Sequence, residues 1–156
     1  MIYVEGWADK ALVQTLTGLP RREIVLGSAK SGVVKRLIEN AGVMGMIDED
    51  PGSIQPAYLN QMQIRTLSDL PLLGLRALQD EIRGNRIVLL YPKLEEWIIA
   101  AAEEAGLRLD NPRYGLPHNA TRLHREINYD LSKLERLVAD LSDTPRLLTL
   151  RQMLQT

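Results

Sequence analysis

The chain contains no cysteine in its 156 residues. That excludes disulfides and cysteine-bound zinc, and it fits a reducing compartment, so the expected location is cytoplasmic. Phenylalanine is absent and aromatics make up only 4% of the chain. A base-stacking platform built from many aromatic rings is therefore not expected. There is no basic surplus either, since the formal net charge is −1. A protein that grips nucleic acid tightly and without regard to sequence usually carries one. An enzyme that meets nucleic acid transiently is still open, because a bound metal would supply local positive charge. No apolar run reaches the length of a membrane span, so no membrane partner is expected. Met1 leads almost directly into strand-like sequence, which argues against a signal peptide. Internal repeats and low-complexity tracts are absent too.

What is present is a chain that is 45% hydrophobic, long enough for one domain with a real core. Ile2–Glu5 reads as a buried strand broken at Gly6. Ala8, Leu12, Val13 and Leu16 then fall at helical spacing, and Gly18 and Pro20 end that helix. Glu23–Leu26 is a second strand. Val33, Val34, Leu37, Ile38 and Ala41 mark a second helix, and Val43–Ile47 a third strand. The β-α-β-α-β order predicts a mainly parallel, doubly wound α/β sheet with right-handed crossovers. The stretch 53–85 reads less clearly: 53–63 fits a helix or a loop, and 72–78 fits a strand or a helix. Arg86–Tyr91 is a strand and Leu94–Ala105 a helix closed by Gly106. After a loop over 107–119, one long helix is expected over 122–141 and a short one over 146–154. The division expected is an α/β domain over 1–106 and a helical C-terminal extension over 107–156 packed on it.

Two strand ends carry the chemistry. Ile2-Tyr3-Val4-Glu5-Gly6 and Met46-Ile47-Asp48-Glu49-Asp50-Pro51-Gly52 are each an apolar run that stops on a carboxylate and turns at glycine. Side by side and parallel, these strands would bring Glu5, Asp48 and Asp50 to one sheet edge, where open α/β sheets bind ligands. In extended backbone Asp48 and Asp50 share a side and Glu49 faces away. Three oxygen ligands suit Mg²⁺ or Mn²⁺, which would polarise a phosphoryl oxygen and activate water. The same residues also admit plainer readings. Asp50-Pro51 is a good helix start, and Glu5 could face solvent.

Lys30, in Gly27-Ser28-Ala29-Lys30-Ser31, follows the second strand and opens a helix. There it could neutralise a phosphate or simply be solvated. A P-loop is excluded: Ala29 stands where the glycine before the lysine belongs, and Ile24 where the first glycine belongs. Glu95 and Glu96 lie in the first turn of the helix after the fourth clear strand. They could serve the same sheet edge or only complement the helix dipole. Trp97 reads as core. His118 and His124 lack metal-ligand spacing and read as structural or surface residues. Arg21-Arg22, Lys35-Arg36 and Arg122/Arg125 read as solvated faces, the last pair also placed to guide a phosphate backbone.

Val4-Glu5-Gly6, a helix, and a strand ending Asp48-x-Asp50-Pro-Gly together resemble the toprim domain of topoisomerases, bacterial primases, ribosomal-RNA maturases and the overcoming-lysogenisation-defect nucleases. That family's pattern is a glutamate after the first strand and an Asp-x-Asp after the third. Gly27-Ser28-Ala29 also resembles the strand-two exit of the maturase branch. The resemblance covers residues 1–100. It implies a toprim-like sheet, Mg²⁺ (or Mn²⁺) held by Glu5, Asp48 and Asp50, and acid–base chemistry at Glu5. It further implies charge stabilisation at Lys30 and assistance from Glu95 or Glu96. The chain has no room for a topoisomerase's tyrosine-bearing domains and no cysteines for a primase zinc finger. A small stand-alone toprim-like nuclease acting on DNA or RNA is the expectation. The alternatives are a non-catalytic regulatory or assembly module and a small-molecule nucleotide phosphoesterase.

Overall fold

A computed structural model describes residues 1–155. The first half alternates as expected: β1 (Ile2–Val4), α1 (Trp7–Thr17), β2 (Ile24–Leu26), α2 (Ala29–Glu39) and β3 (Met44–Asp48). A hairpin follows, β4 (Ile64–Leu70) and β5 (Leu75–Asp80), then β6 (Asn85–Leu90). The rest is helical: α3 (Leu94–Glu104), α4 (Ala120–Tyr129), α5 (Leu131–Leu141) and α6 (Pro145–Gln155). No helix among the described residues is long and apolar enough to cross a membrane.

The six strands form one mostly parallel sheet in the order β2-β1-β3-β6-β5-β4. β2, β1, β3 and β6 are mutually parallel, and β5 and β4 are added antiparallel. Successive residues of the central strands enter opposite cores, because side chains alternate along a strand. Ile2, Val4, Met46, Val88 and Leu90 pack with α1 and α3–α6. Tyr3, Ile47, Ile87 and Leu89 pack with Val33, Val34 and Leu37 of α2. Burial on both faces is why these strands read as continuous apolar runs. The chain leaves β1 in one direction to reach β2 and returns across it to β3. With crossovers of one hand, that reversal puts α1 and α2 on opposite faces. β1 and β3 therefore flank the point where the strand order reverses, and a crevice opens there beyond their carboxyl ends.

The stretch 53–85, left open between helix, loop and strand, holds the antiparallel hairpin, with only a 3-10 turn at Ala57–Asn60 before it. No helix follows Asp50-Pro51: Asp50 has φ 45° and the chain turns. The long helix over 122–141 is two helices. Asp130 interrupts it with extended backbone (φ −142°, ψ 96°), and its carboxylate accepts from the Ser132 amide at 3.1 Å, capping α5. An aspartate that answers the next turn's amides competes with helix continuation. Pro145 opens α6 at its first position, where a missing N–H costs nothing.

Candidate functional site

β1 ends at Val4, whose register partner on β3 is Met46. Glu5 thus leaves the sheet beside the last residues of β3, and its Oε2 accepts from the Asp48 amide at 2.6 Å. The next residue, Gly6, caps α1, and Asp9 reaches back from the first turn to accept from the Gly6 amide at 3.0 Å. Asp48 ends β3 and its Oδ1 accepts from the Leu94 amide at 3.1 Å. That amide is one of the unpaired donors at the start of α3, an end that favours negative charge. Asp50 is held by its own amide, which donates to Pro92 O at 2.7 Å, and its carboxylate lies 3.6 Å from Lys93 Nζ. Its positive φ, rather than an extended backbone, carries it back to the side of Asp48. Glu49 faces away and pairs with Arg76 of β5.

Three cavities meet at Asp48. One of about 520 Å³ is lined by Glu5, Lys30, Asp48, Asp50 and Gln55. One of about 380 Å³ is lined by Asp48, Asp50, Lys93, Glu95, Glu96 and His124. A third of about 210 Å³ is lined by Glu5, Asp9, Asp48, Glu95, His124 and Asn128. The sequence candidates Glu5, Lys30, Asp48, Asp50, Glu95 and Glu96 therefore all border this crevice.

Lys30 sits at its rim, donating to Glu49 O at 2.9 Å and to Gln55 Oε1 at 3.5 Å. The turn that delivers it is strained. Ser28 and Ala29 both lie in the left-handed region, at φ 66° and 64°, a conformation costing about 1–2 kcal/mol per non-glycine residue. It is pinned to β1 by the Ala29 amide on Glu5 O at 3.0 Å and the Gly27 amide on Val4 O at 2.8 Å. A close backbone approach completes it: a Cβ on Gly32 would stand 1.5 Å from Gly27 O.

The carboxyl groups crowd one another. Burial, and then the charges of Asp9, Glu5 and Glu95, push Asp48 up to about 9. Burial and then the charge of Glu5 push Asp9 up to about 7. Glu5 is raised by burial, against the opposing pull of the Asp48 amide and the Lys30 charge. Glu96 Oε2 is buried with no hydrogen-bond partner among the described residues.

The donor chemistry fits a hard divalent cation: all oxygen, mutually repelling and partly desolvated. Glu5, Asp48 and Asp50 each keep a second carboxylate oxygen with no hydrogen bond among the described residues. Their present positions serve amides and Lys93. No three Asp, Glu or His side chains among the described residues are yet gathered around one point that could hold a metal ion.

Two residues join this set beyond the sequence candidates: Asp9, which the sequence did not single out, and His124, which it read as structural or surface. Asp9 is 8% exposed beneath Glu5. Its signal is the Gly6-x-x-Asp9 spacing of a capping box. His124 contacts Glu95, its Nδ1 lying 2.6 Å from Glu95 Oε1. Its signal is the polar stripe Thr121, His124, Asn128 along α4, beside the buried Leu123 and Ile127. His118 lines none of the three cavities. Trp97 is fully buried and donates to Leu73 O at 2.8 Å. No family model, curated protein or solved structure matches the chain.

Proposed function

We propose that the chain is a toprim-like protein that cleaves phosphodiester bonds of nucleic acid with Mg²⁺ or Mn²⁺. The observation that carries this reading is the joining of Glu5 to Asp48 where the strand order reverses, with Asp50 and Lys30 bordering the same cavity. Supporting the family resemblance, a glutamate follows β1 and an Asp-x-Asp begins at the last residue of β3, in a sheet where β2, β1, β3 and β6 are parallel. The free oxygens of Glu5, Asp48 and Asp50 would hold the ion. The ion, when bound, supplies polarisation of a phosphoryl oxygen and a lowered pKa for water.

The remaining roles fall to the chain itself. Glu5, raised above the ordinary carboxyl value, is suited to accept a proton from the attacking water. Lys30 can exchange its bonds to Glu49 O and Gln55 for a phosphoryl oxygen, stabilising the charge that develops there. Glu95 and Glu96 border the opposite wall and assist from α3. With a net charge of −1, contact with DNA or RNA would be transient and weakened by salt.

The test is cleavage of DNA and RNA oligonucleotides, with mononucleotides as a parallel substrate set, in Mg²⁺ or Mn²⁺. Activity is expected to vanish in Asp48→Ala/Asp50→Ala, and activity that survives the double substitution overturns the assignment. A non-catalytic module is the second reading, favoured by the engagement of Glu5 and Asp48 with backbone amides. Calorimetry showing no millimolar-or-better binding of either cation would select it.

A further inference from the structure

We propose that His124, held by Glu95, donates the proton to the leaving oxygen in the cleavage proposed above, on which this inference rests. Glu95 is 8% exposed at the first turn of α3, and its Oε1 meets His124 Nδ1 at 2.6 Å. A carboxylate on one ring nitrogen fixes the imidazole's orientation and favours the proton on that nitrogen. Nε2 then remains as the ring's outward nitrogen, and no hydrogen bond engages it among the described residues. The side chain is 67% exposed, yet it borders two of the cavities that meet at Asp48. It thus shares one cavity with Asp48 and Asp50 and another with Glu5 and Asp48, while Lys30 lines the third cavity at Asp48.

The groups that share these cavities with His124 come from several elements. From β3 and the turn after it, Asp48 and Asp50 border the same cavity. From α3 and the residue before it come Glu95, Glu96 and Lys93. From its own helix, Thr121 and Asn128 share the wall.

Water oxygen bonds to phosphorus as the bond from phosphorus to the leaving oxygen breaks. One proton of the water goes to Glu5, and the Nε2 proton of the imidazolium goes to the leaving oxygen. Exchange with solvent then returns a proton to His124 and removes one from Glu5. Glu95 does not touch substrate in this scheme and acts as a positioning residue. Proton donation of this kind typically contributes 10²–10⁴-fold in rate.

The test compares leaving groups. An oligonucleotide loses a poor leaving group that needs a proton. A p-nitrophenyl ester of thymidine 5′-monophosphate loses one that does not. With Mg²⁺ or Mn²⁺, His124→Ala and His124→Gln are expected to lose about 100-fold or more on the oligonucleotide and less than about 10-fold on the ester. Glu95→Gln should give a smaller loss with the same pattern. The exposed ring makes both histidine variants tolerable to the fold, which thermal melting checks. Independently of turnover, imidazole ¹⁵N spectra carry signals from only two histidines. Thymidine 5′-monophosphate should shift those of His124 and leave His118 unmoved, and Glu95→Gln should blunt the shift. Equal losses on both substrates, or none on the oligonucleotide, overturn the proton-donor role while the phosphodiesterase reading stands. A wild-type protein inactive on both substrates overturns that reading, and this inference with it.

Discussion

Replacing Asp48 with asparagine should stabilise the metal-free protein while abolishing its response to divalent cations. In the unfolded chain this carboxyl ionises near 3.8, and in the folded protein it is pushed to about 9 by burial and by Asp9, Glu5 and Glu95. At pH 7 the folded state therefore retains a proton that the unfolded state has released. At about 1.4 kcal/mol per pH unit, that difference draws on the order of 4 kcal/mol from folding stability. Asparagine keeps the Oδ1 acceptor for the Leu94 amide and carries no charge. Burying its amide returns part of the gain, since an imperfectly paired amide costs about 1–3 kcal/mol. The net expectation is about 2 kcal/mol of stabilisation, a rise of roughly 4–8 °C in Tm for a domain of this size.

The pH dependence carries the sharper test. Asp48, Asp9 and Glu5 are all raised and bind more protons folded than unfolded, so stability falls as pH climbs, through about 7 for Asp9 and about 9 for Asp48. The acids held below their ordinary value, such as Asp80 and Asp140, lose their contribution only as pH falls below 3.8. Between pH 5 and 9 the raised acids therefore dominate. Thermal and urea unfolding in chelator across that range should show wild-type stability declining. In Asp48→Asn the decline should end near pH 7. Added Mg²⁺ or Mn²⁺ should raise the Tm of the wild type at pH 8 and leave the variant unchanged. If the variant is less stable than wild type throughout, or wild-type stability rises from pH 5 to 9, the crowded-carboxylate account is wrong.

Gly32→Ala should cost about 3 kcal/mol or prevent folding, because overpacking of this kind is destabilising and its Cβ would sit 1.5 Å from the Gly27 carbonyl oxygen; a wild-type Tm would refute the close approach. Asp80→Ala should cost about 3–5 kcal/mol by urea unfolding. It removes the fully buried acceptor of the Tyr58 hydroxyl, the Ile82 and Arg83 amides and the Arg83 guanidinium, and a loss under about 1 kcal/mol, the worth of one ordinary hydrogen bond, would contradict that network. Lys30→Ala should shift stability by no more than about 1 kcal/mol, the value of its bond to Glu49 O. Oligonucleotide cleavage should fall about 10²-fold or more in the same variant, and a full cleavage rate would remove Lys30 from the site.

Local punctuation made half of this protein legible. β1, β3 and β6 are apolar on both faces because both are covered, and each ends at a turn that the sequence marks. The positions of Glu5, Asp48 and Asp50 at those ends, and of Lys30 after β2, followed directly. β4 hid because it is the sheet's outer strand. Arg65, Thr66 and Leu67 are all exposed, and a register shift between Thr66 and Ser68 breaks the period-two pattern. The α4–α5 break hid for a different reason. Ile127, Leu131, Leu134 and Val138 keep a helical spacing straight through Asp130, although Asp130 is a cap. That same break explains why His124 could not be read in advance. A helix running to residue 141 would have its direction set by five or more apolar anchors along the C-terminal core. The shorter α4 is anchored by Leu123 and Ile127 alone, and it packs against α3 and α5 and touches α1. That placement turns Thr121, His124 and Asn128 toward the acids. The histidine's role therefore depends on where one ten-residue helix docks, a tertiary fact that its own sequence window does not contain.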